Sequence, residues 1–213
     1  MKKIAVLLYP DFSLQEITCL TSVLTVWFGE NIDFIASEDK ELKSEEGLRI
    51  LPTKTTVEAK ASDYDCVILP GTINPLPALF DEKLIGFLRE GVGSDILFAA
   101  ISSAPILLSK AGILDGKCFT AGYFMQLAET FNFVQMENFR HKGVVEDGNV
   151  ITGIGMFFRE FAEAVLRKLD YDIGDEFMRD RPDEYSEEEL TFRWTEEEYR
   201  EFLEELKPYT GKA

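Results

Sequence analysis

Residues Asp95–Leu108 read DILFAAISSAPILL, and this stretch decides the fold. Ile96–Ile101 is an unbroken apolar run suited to a strand buried on both faces, as in parallel sheets covered by helices. The run stops at Ser102-Ser103, and Ala104–Ala111 continues with the character of a helix. A strand that turns sharply into a helix around a hydroxyl residue is the layout of a nucleophile elbow. So tight a turn needs small residues two before and two after its centre. Centred on Ser102 these are Ala100 and Ala104; centred on Ser103 they would be the bulkier Ile101 and Pro105. Ser102 is therefore nominated as the elbow residue. Local sequence leaves two roles open to it: a nucleophile flanked by the backbone N–H groups of a helix start, or a serine that caps that helix.

Outward from the elbow, strands and helices alternate. Lys3–Leu8, Ile32–Ala36 and Asp65–Leu69 read as buried strands and Leu48–Pro52 as a short edge strand. Leu14–Phe28, a segment holding Leu84–Arg89, and Met156–Leu169 read as helices. Gly143–Glu146 and Val150–Thr152 flank Asp147-Gly148, a hairpin signal. Apolar strands between helices predict an α/β fold with a parallel-rich sheet sandwiched between helices. In such sheets ligand sites lie at the carboxyl ends of the strands, where Ser102 and Gly71 both fall.

The 213 residues suffice for one sizeable α/β domain with additions. A formal net charge of −17 argues against nucleic acid and anionic membrane surfaces as partners. No apolar run reaches the roughly 18 residues of a membrane span, and Met1–Phe12 reads as a first strand rather than a leader. Cys19, Cys66 and Cys118 form an odd set without a CxxC pair, so neither disulfides nor a zinc site is expected, and the reducing cytoplasm is the expected location. From Tyr171 onward 15 Asp+Glu face 6 Lys+Arg. This acidic extension, residues 171–213 after a domain of residues 1–170, contains a helix start: Thr195 as N-cap, Glu198 closing a capping box, Trp194 stapled to Tyr199. Tyr199, Phe202, Leu203 and Leu206 then form an apolar stripe that needs a partner surface, the domain or a second subunit; the expectation is a helix folded back on the domain, the alternative a mobile tail.

Glu16 lies in Ser13-Leu14-Gln15-Glu16, an S-x-x-E capping box, and could be spent on that cap. Its other role would be a carboxylate reaching the sheet edge to hydrogen-bond Ser102. Pro70-Gly71-Thr72 could present N–H groups to an oxyanion, or be a plain turn. His141, the only histidine, sits among charged residues and reads as a surface side chain. Cys19 falls one turn after Glu16 and reads as a core residue or a pocket wall; Cys66 and Cys118 read as core. Gly153-Ile154-Gly155 reads as close helix–strand packing rather than a phosphate loop. No cofactor and no metal is expected.

In this order, IAVLLYPDFSLQEI, DCVILPGT, AAISSAP, LLSKAGILDGKCFTA and VVEDGNVITGIG resemble the ThiJ/PfpI superfamily. This is the class I glutamine-amidotransferase-like group that includes the Parkinsonism-linked protein deglycase, and the resemblance runs from Ile4 to about Leu169. It implies a flavodoxin-like sandwich, a homodimer, and a site built from an elbow cysteine, an acid on the first helix and backbone donors of a PGG turn. The elbow cysteine falls on Ser102, the acid on Glu16 and the second turn glycine on Thr72. The histidines of some members fall on Ser103 and near Gly122. A thiolate reacts without a strong base, whereas a serine hydroxyl needs one. Two functions follow. In the first, the protein is a non-catalytic small-molecule-binding or regulatory member. In the second, it is an enzyme on a small carbonyl, amide or isocyanide-like substrate. There Ser102 is the nucleophile or positions a water, Glu16 is the acid/base and the Gly71-Thr72 amides the oxyanion donors, with Ser103 lining the pocket.

Overall fold

In the computed structural model, strands Ile4–Leu7 (β1), Ile32–Ala36 (β2), Lys54–Thr55 (β5), Cys66–Leu69 (β6), Leu97–Ile101 (β7), Val144–Asp147 (β8) and Val150–Gly153 (β9) form one sheet. Its order is β5-β2-β1-β6-β7-β9-β8. The structure describes residues 1–174, 186 and 193–210, with side chains to 204. β1 pairs parallel with β2 and β6, β6 with β7, and β7 with β9; only the β8–β9 hairpin is antiparallel. Every residue of β1, β6, β7 and β9 is buried, as unbroken apolar runs demand of a sheet covered on both faces. Helices Gln15–Ser22 (α1) and Phe158–Lys168 (α6) pack on each other as one flanking layer. Leu76–Leu79 (α2), Glu82–Arg89 (α3) and Pro105–Ala111 (α4) pack together as another. The predicted α/β sandwich is the fold.

Several expectations need correction. Leu48–Pro52 is not an edge of the main sheet: Arg49–Ile50 (β4) pairs antiparallel with Leu42–Lys43 (β3) in a separate two-stranded hairpin, and β5 forms the edge. The polar turn Ser44–Gly47 folds β4 back on β3 before the chain can reach the sheet; the Ser44 carbonyl accepts from Gly47 N–H at 3.0 Å. The first helix also stops being α-helical after Ser22, and Val23–Trp27 continues as a π-helical turn. Ser22 Oγ donates to the Cys19 carbonyl at 3.1 Å and Thr25 Oγ1 to the Thr21 carbonyl at 2.9 Å. Hydroxyls competing for helix carbonyls, and the β-branched Thr21, Val23, Thr25 and Val26 that crowd the turn, loosen it. Met125–Thr130 (α5) has no counterpart among the expected helices.

The described residues fall in two compact units, Met1–Met178 and Arg179–Ala213. In the second, helix Glu196–Thr210 (α7) has the expected start. Thr195 N–H and Oγ1 donate to Glu198 Oε2 at 2.8 and 2.9 Å, and Trp194 stacks on Tyr199 with ring centroids 6.0 Å apart. The Leu206 side chain of the stripe, and most of residues 175–192, lie outside the described residues. No helix among the described residues is long and apolar enough to cross a membrane.

Candidate functional site

Ser102 follows β7 directly and has φ +61°, one of three non-glycine residues with positive φ among those described. Such a backbone costs about 1–3 kcal/mol and persists only where its surroundings hold it. Two hydrogen bonds of 2.7 Å do so: Ser102 N–H donates to the Gly153 carbonyl, and the Ser102 carbonyl accepts from Gly122 N–H. Ala100 and Ala104, the two small flanks, are fully buried. A tight strand-to-helix turn with a left-handed backbone therefore stands at this serine.

The two candidate roles of Glu16 are separated by a residue from the β3–β4 hairpin. Glu46 Oε1 accepts from Gln15 N–H at 2.9 Å and from the Ser13 hydroxyl at 3.4 Å. That carboxylate therefore serves the first turn of α1, and neither Ser13 nor Glu16 forms the capping box. Freed from that task, Glu16 reaches the sheet edge. Its Oε2 accepts from Gly71 N–H at 2.7 Å, and its carboxyl hydrogen-bonds the Ser102 hydroxyl. Burial pushes its pKa above the ordinary carboxylate value; the bonds from Ser102 and Gly71 oppose this, and the negative charges of Glu45 and Glu46 add to it.

This shift fixes a pH dependence. A carboxyl whose folded pKa is raised contributes stability that is full below its ordinary pKa and is lost as pH rises through the folded value. In Glu16→Gln the amide oxygen could still accept from Gly71 N–H, but the side chain no longer titrates. In denaturant titrations from about pH 4 to about pH 8, the stability of wild type relative to Glu16→Gln should fall as pH rises. A difference that is flat or grows with pH would show that burial does not prevail over the hydrogen bonds in setting the Glu16 pKa.

Gly71, Thr72 and Ser103 also meet at this edge, but not as a free oxyanion hole. The Gly71 N–H is committed to Glu16. Thr72 N–H donates to Ser103 Oγ at 2.9 Å, and that hydroxyl donates back to the Thr72 carbonyl at 2.8 Å. The expectation that both amides face a substrate oxygen is corrected here, because two side chains already occupy them. Ser103 is a latch on the turn. Tyr9, buried beside it, donates its hydroxyl to the Pro70 carbonyl.

Three glycines shape the site by letting other chain segments close on it. A Cβ at Gly71 would lie 2.3 Å from Glu16 Oε2 and 2.7 Å from Ser102 Oγ. One at Gly155 would lie 2.4 Å from Glu16 Oε1, and one at Gly122 3.3 Å from Ser102 Cα. The reading of Gly153-Ile154-Gly155 is thus half right. Gly153 packs against Phe161 of α6, with a Cβ there 3.1 Å from the ring, whereas Gly155 abuts the carboxyl of Glu16. Nothing in the local sequence marks Gly122 or Gly155 as site residues, since their role is contact with residues far along the chain. Glu45 and Glu46 give no local signal either, standing as they do in a charged stretch.

The pair opens into a cavity of about 230 Å³ whose walls include Glu45, Thr72, Ile73, Tyr123, Phe124 and Leu127. Burial raises the Tyr123 hydroxyl pKa, so it stays protonated at neutral pH. A larger cavity of about 800 Å³ lies at the opposite edge, near Lys2, Asp65 and Asn149, away from the carboxyl ends of the parallel strands. His141 is exposed against Phe139 and outside the cavity. None of the three free cysteines lines it. Cys19 is half-buried with its pKa raised by burial, which the Arg159 charge opposes, and burial pushes Cys66 far above its ordinary value. No group of His, Cys, Asp and Glu suited to a metal ion occurs among the described residues.

Comparison with known proteins identifies the family and the fold. Residues 2–168 match the DJ-1/PfpI family. Protein dj-1beta of Drosophila melanogaster is 33% identical over 133 residues, covering 60% of this chain and 68% of the fly protein. Isonitrile hydratase of Pseudomonas putida is 26% identical over 155 residues, covering 72% of this chain and 65% of that protein. The crystal structure of a DJ-1 superfamily protein from Agrobacterium tumefaciens superposes with a TM-score of 0.73 at 24% identity, covering 83% of this chain and 93% of that one, a likeness of fold. With the family match spanning most of the sequence and the same sandwich beneath it, the chain belongs to the DJ-1/PfpI family.

Proposed function

We propose that this protein is a small-molecule-binding member of its family whose elbow holds serine where the family's chemistry uses cysteine, and that it does not turn its ligand over. The observation that carries this reading is the commitment of the turn amides. Gly71 N–H serves Glu16 and Thr72 N–H serves Ser103, so neither is aimed at where an oxyanion would develop. The hydroxyl of Ser102 stays protonated near neutrality, and a base is needed to make it a nucleophile. Glu16 is the one acid in contact with it among the described residues, and burial, by raising its pKa, reduces the ionised fraction that could take a proton. On this reading the protein acts without a cofactor, as a homodimer in a reducing compartment; its three free cysteines fit that setting.

One observation favours a second reading. Glu16 does touch Ser102 instead of capping α1, which is the geometry a serine-dependent hydrolase or hydratase requires. In its ionised fraction Glu16 would take the Ser102 proton, or that of a water held by Ser102, as the hydroxyl attacks a small carbonyl, amide or isocyanide-like carbon. The isonitrile hydratase relative supports this chemistry.

Turnover of methylglyoxal, simple esters and an alkyl isocyanide by wild type, Ser102→Ala and Ser102→Cys decides between them. The expected result is background rates for wild type and Ser102→Ala, with activity gained only by Ser102→Cys. Wild-type turnover exceeding that of Ser102→Ala by roughly a hundredfold, the usual scale of acid–base catalysis, would reverse the order of the two readings.

A further inference from the structure

The walls of the Ser102 cavity carry acids and no basic side chain. Glu16 and Glu45 both line it, and no lysine, arginine or histidine does among the described residues. Glu45 is held in place through its backbone, whose N–H donates to the Phe12 carbonyl at 3.0 Å. Its carboxylate has no ion pair or hydrogen bond among the described residues, whereas neighbouring Glu46 is spent on the start of α1. A carboxylate or phosphate ligand would therefore meet the Glu45 carboxylate with no cation on the walls to receive it.

The remaining walls suit a cation with an apolar body. Phe124 is 84% exposed and Ile73 79% exposed, so the cavity rim offers a free aromatic ring and a branched aliphatic side chain. Aromatic faces attract ammonium groups. Tyr123, only 8% exposed, also lines the cavity, and its hydroxyl has no hydrogen-bond partner among the described residues. Buried hydroxyls are rarely left unpaired without a role. About 230 Å³ limits the ligand to a small molecule, about eight water-sized groups at roughly 30 Å³ each.

We infer that the Ser102 cavity selects small ammonium-bearing ligands, with Glu45 as the charge-selecting residue and the Tyr123–Phe124 aromatic pair as its apolar wall. This inference rests on reading the cavity as a ligand site, and it holds whether or not the ligand is turned over.

The test uses the full chain and three probes of one shape: choline, the neutral 3,3-dimethylbutan-1-ol and the anionic 3,3-dimethylbutyrate. Affinities are measured by calorimetry at low ionic strength, and the site is mapped by amide shifts. Because the whole protein is strongly acidic, Glu90→Gln serves as a control that removes one exposed charge elsewhere. Choline should bind about tenfold or more tighter than the neutral isostere, a single close charge pair being worth that much, and butyrate weakest. Glu45→Gln should erase that preference, Glu90→Gln should keep it, and the Gly122 and Tyr123 amides should shift. Equal binding of all three probes with those shifts would sink the charge selection and leave the cavity reading standing. A choline preference that survives Glu45→Gln, or falls equally in Glu90→Gln, would overturn the inference. If no probe shifts the Gly122 and Tyr123 amides, both fall.

Discussion

Gly71→Ala is expected to destabilise the fold by about 1–3 kcal/mol, the usual cost of forcing a methyl into a packed site, and to abolish ligand binding at Ser102. The backbone of Gly71 does not have the positive φ that would itself penalise alanine, so the effect is one of space alone. The added methyl would sit 2.3 Å from Glu16 Oε2 and 2.5 Å from Ser102 Cβ. Of these neighbours only the Glu16 carboxyl ends a flexible side chain. Ser102 is pinned through both its N–H and its carbonyl, to Gly153 and Gly122. Glu16 must therefore leave, and with it go the Gly71 and Ser102 hydrogen bonds. Gly86→Ala is the control: it lies within α3 with nothing within 4 Å of a Cβ, and alanine there should stabilise by up to about 1 kcal/mol. Denaturant titration of both variants beside probe binding gives the comparison. A Gly71→Ala protein of wild-type stability and affinity would mean that the glycine cradle is not the feature holding Glu16 in place.

Phe161→Ala should cost more, about 3–5 kcal/mol, as large aromatic truncations in cores do. Phe161 is fully buried on α6 and rests on Gly153, the residue whose carbonyl anchors Ser102. Since a domain of this kind is stable by only about 5–15 kcal/mol, a loss of that size leaves little margin. The readout is the denaturant midpoint. A loss below about 1 kcal/mol would show that α6 can collapse into the gap, and that Phe161 is not what fixes α6 against the sheet.

How much of this is legible in the sequence depends on range along the chain. The elbow is readable because its evidence is contiguous: an apolar strand, a hydroxyl and two alanines spaced about it. The alternation of strands and helices is readable for the same reason. Glu16 is ambiguous because the decisive residue, Glu46, lies thirty-one positions from the Gln15 N–H that it caps. Gly122 and Gly155 give no signal, since a glycine that admits a distant side chain looks like any loop glycine. β3, β4 and β5 are two residues each, too short for a periodicity to form, so the true edge strand escapes a pattern reading. The turn amides are correctly located, but their occupation by Glu16 and Ser103 is a long-range fact that no local motif carries.

The distance between the parts of the site has a practical consequence. Glu16, Gly71, Ser102, Gly122 and Gly155 come from across the α/β unit and meet only when the sheet is complete. Partial unfolding of the strands bearing them dismantles the site, so a compound bound there is linked to the cooperative melting of the unit. Free ligand at a hundred times its dissociation constant should then add about 2.7 kcal/mol to the folding equilibrium. The melting temperature is thereby a reporter of occupancy that needs no assay of chemistry, and a thermal-shift screen of small amines can search for the natural ligand.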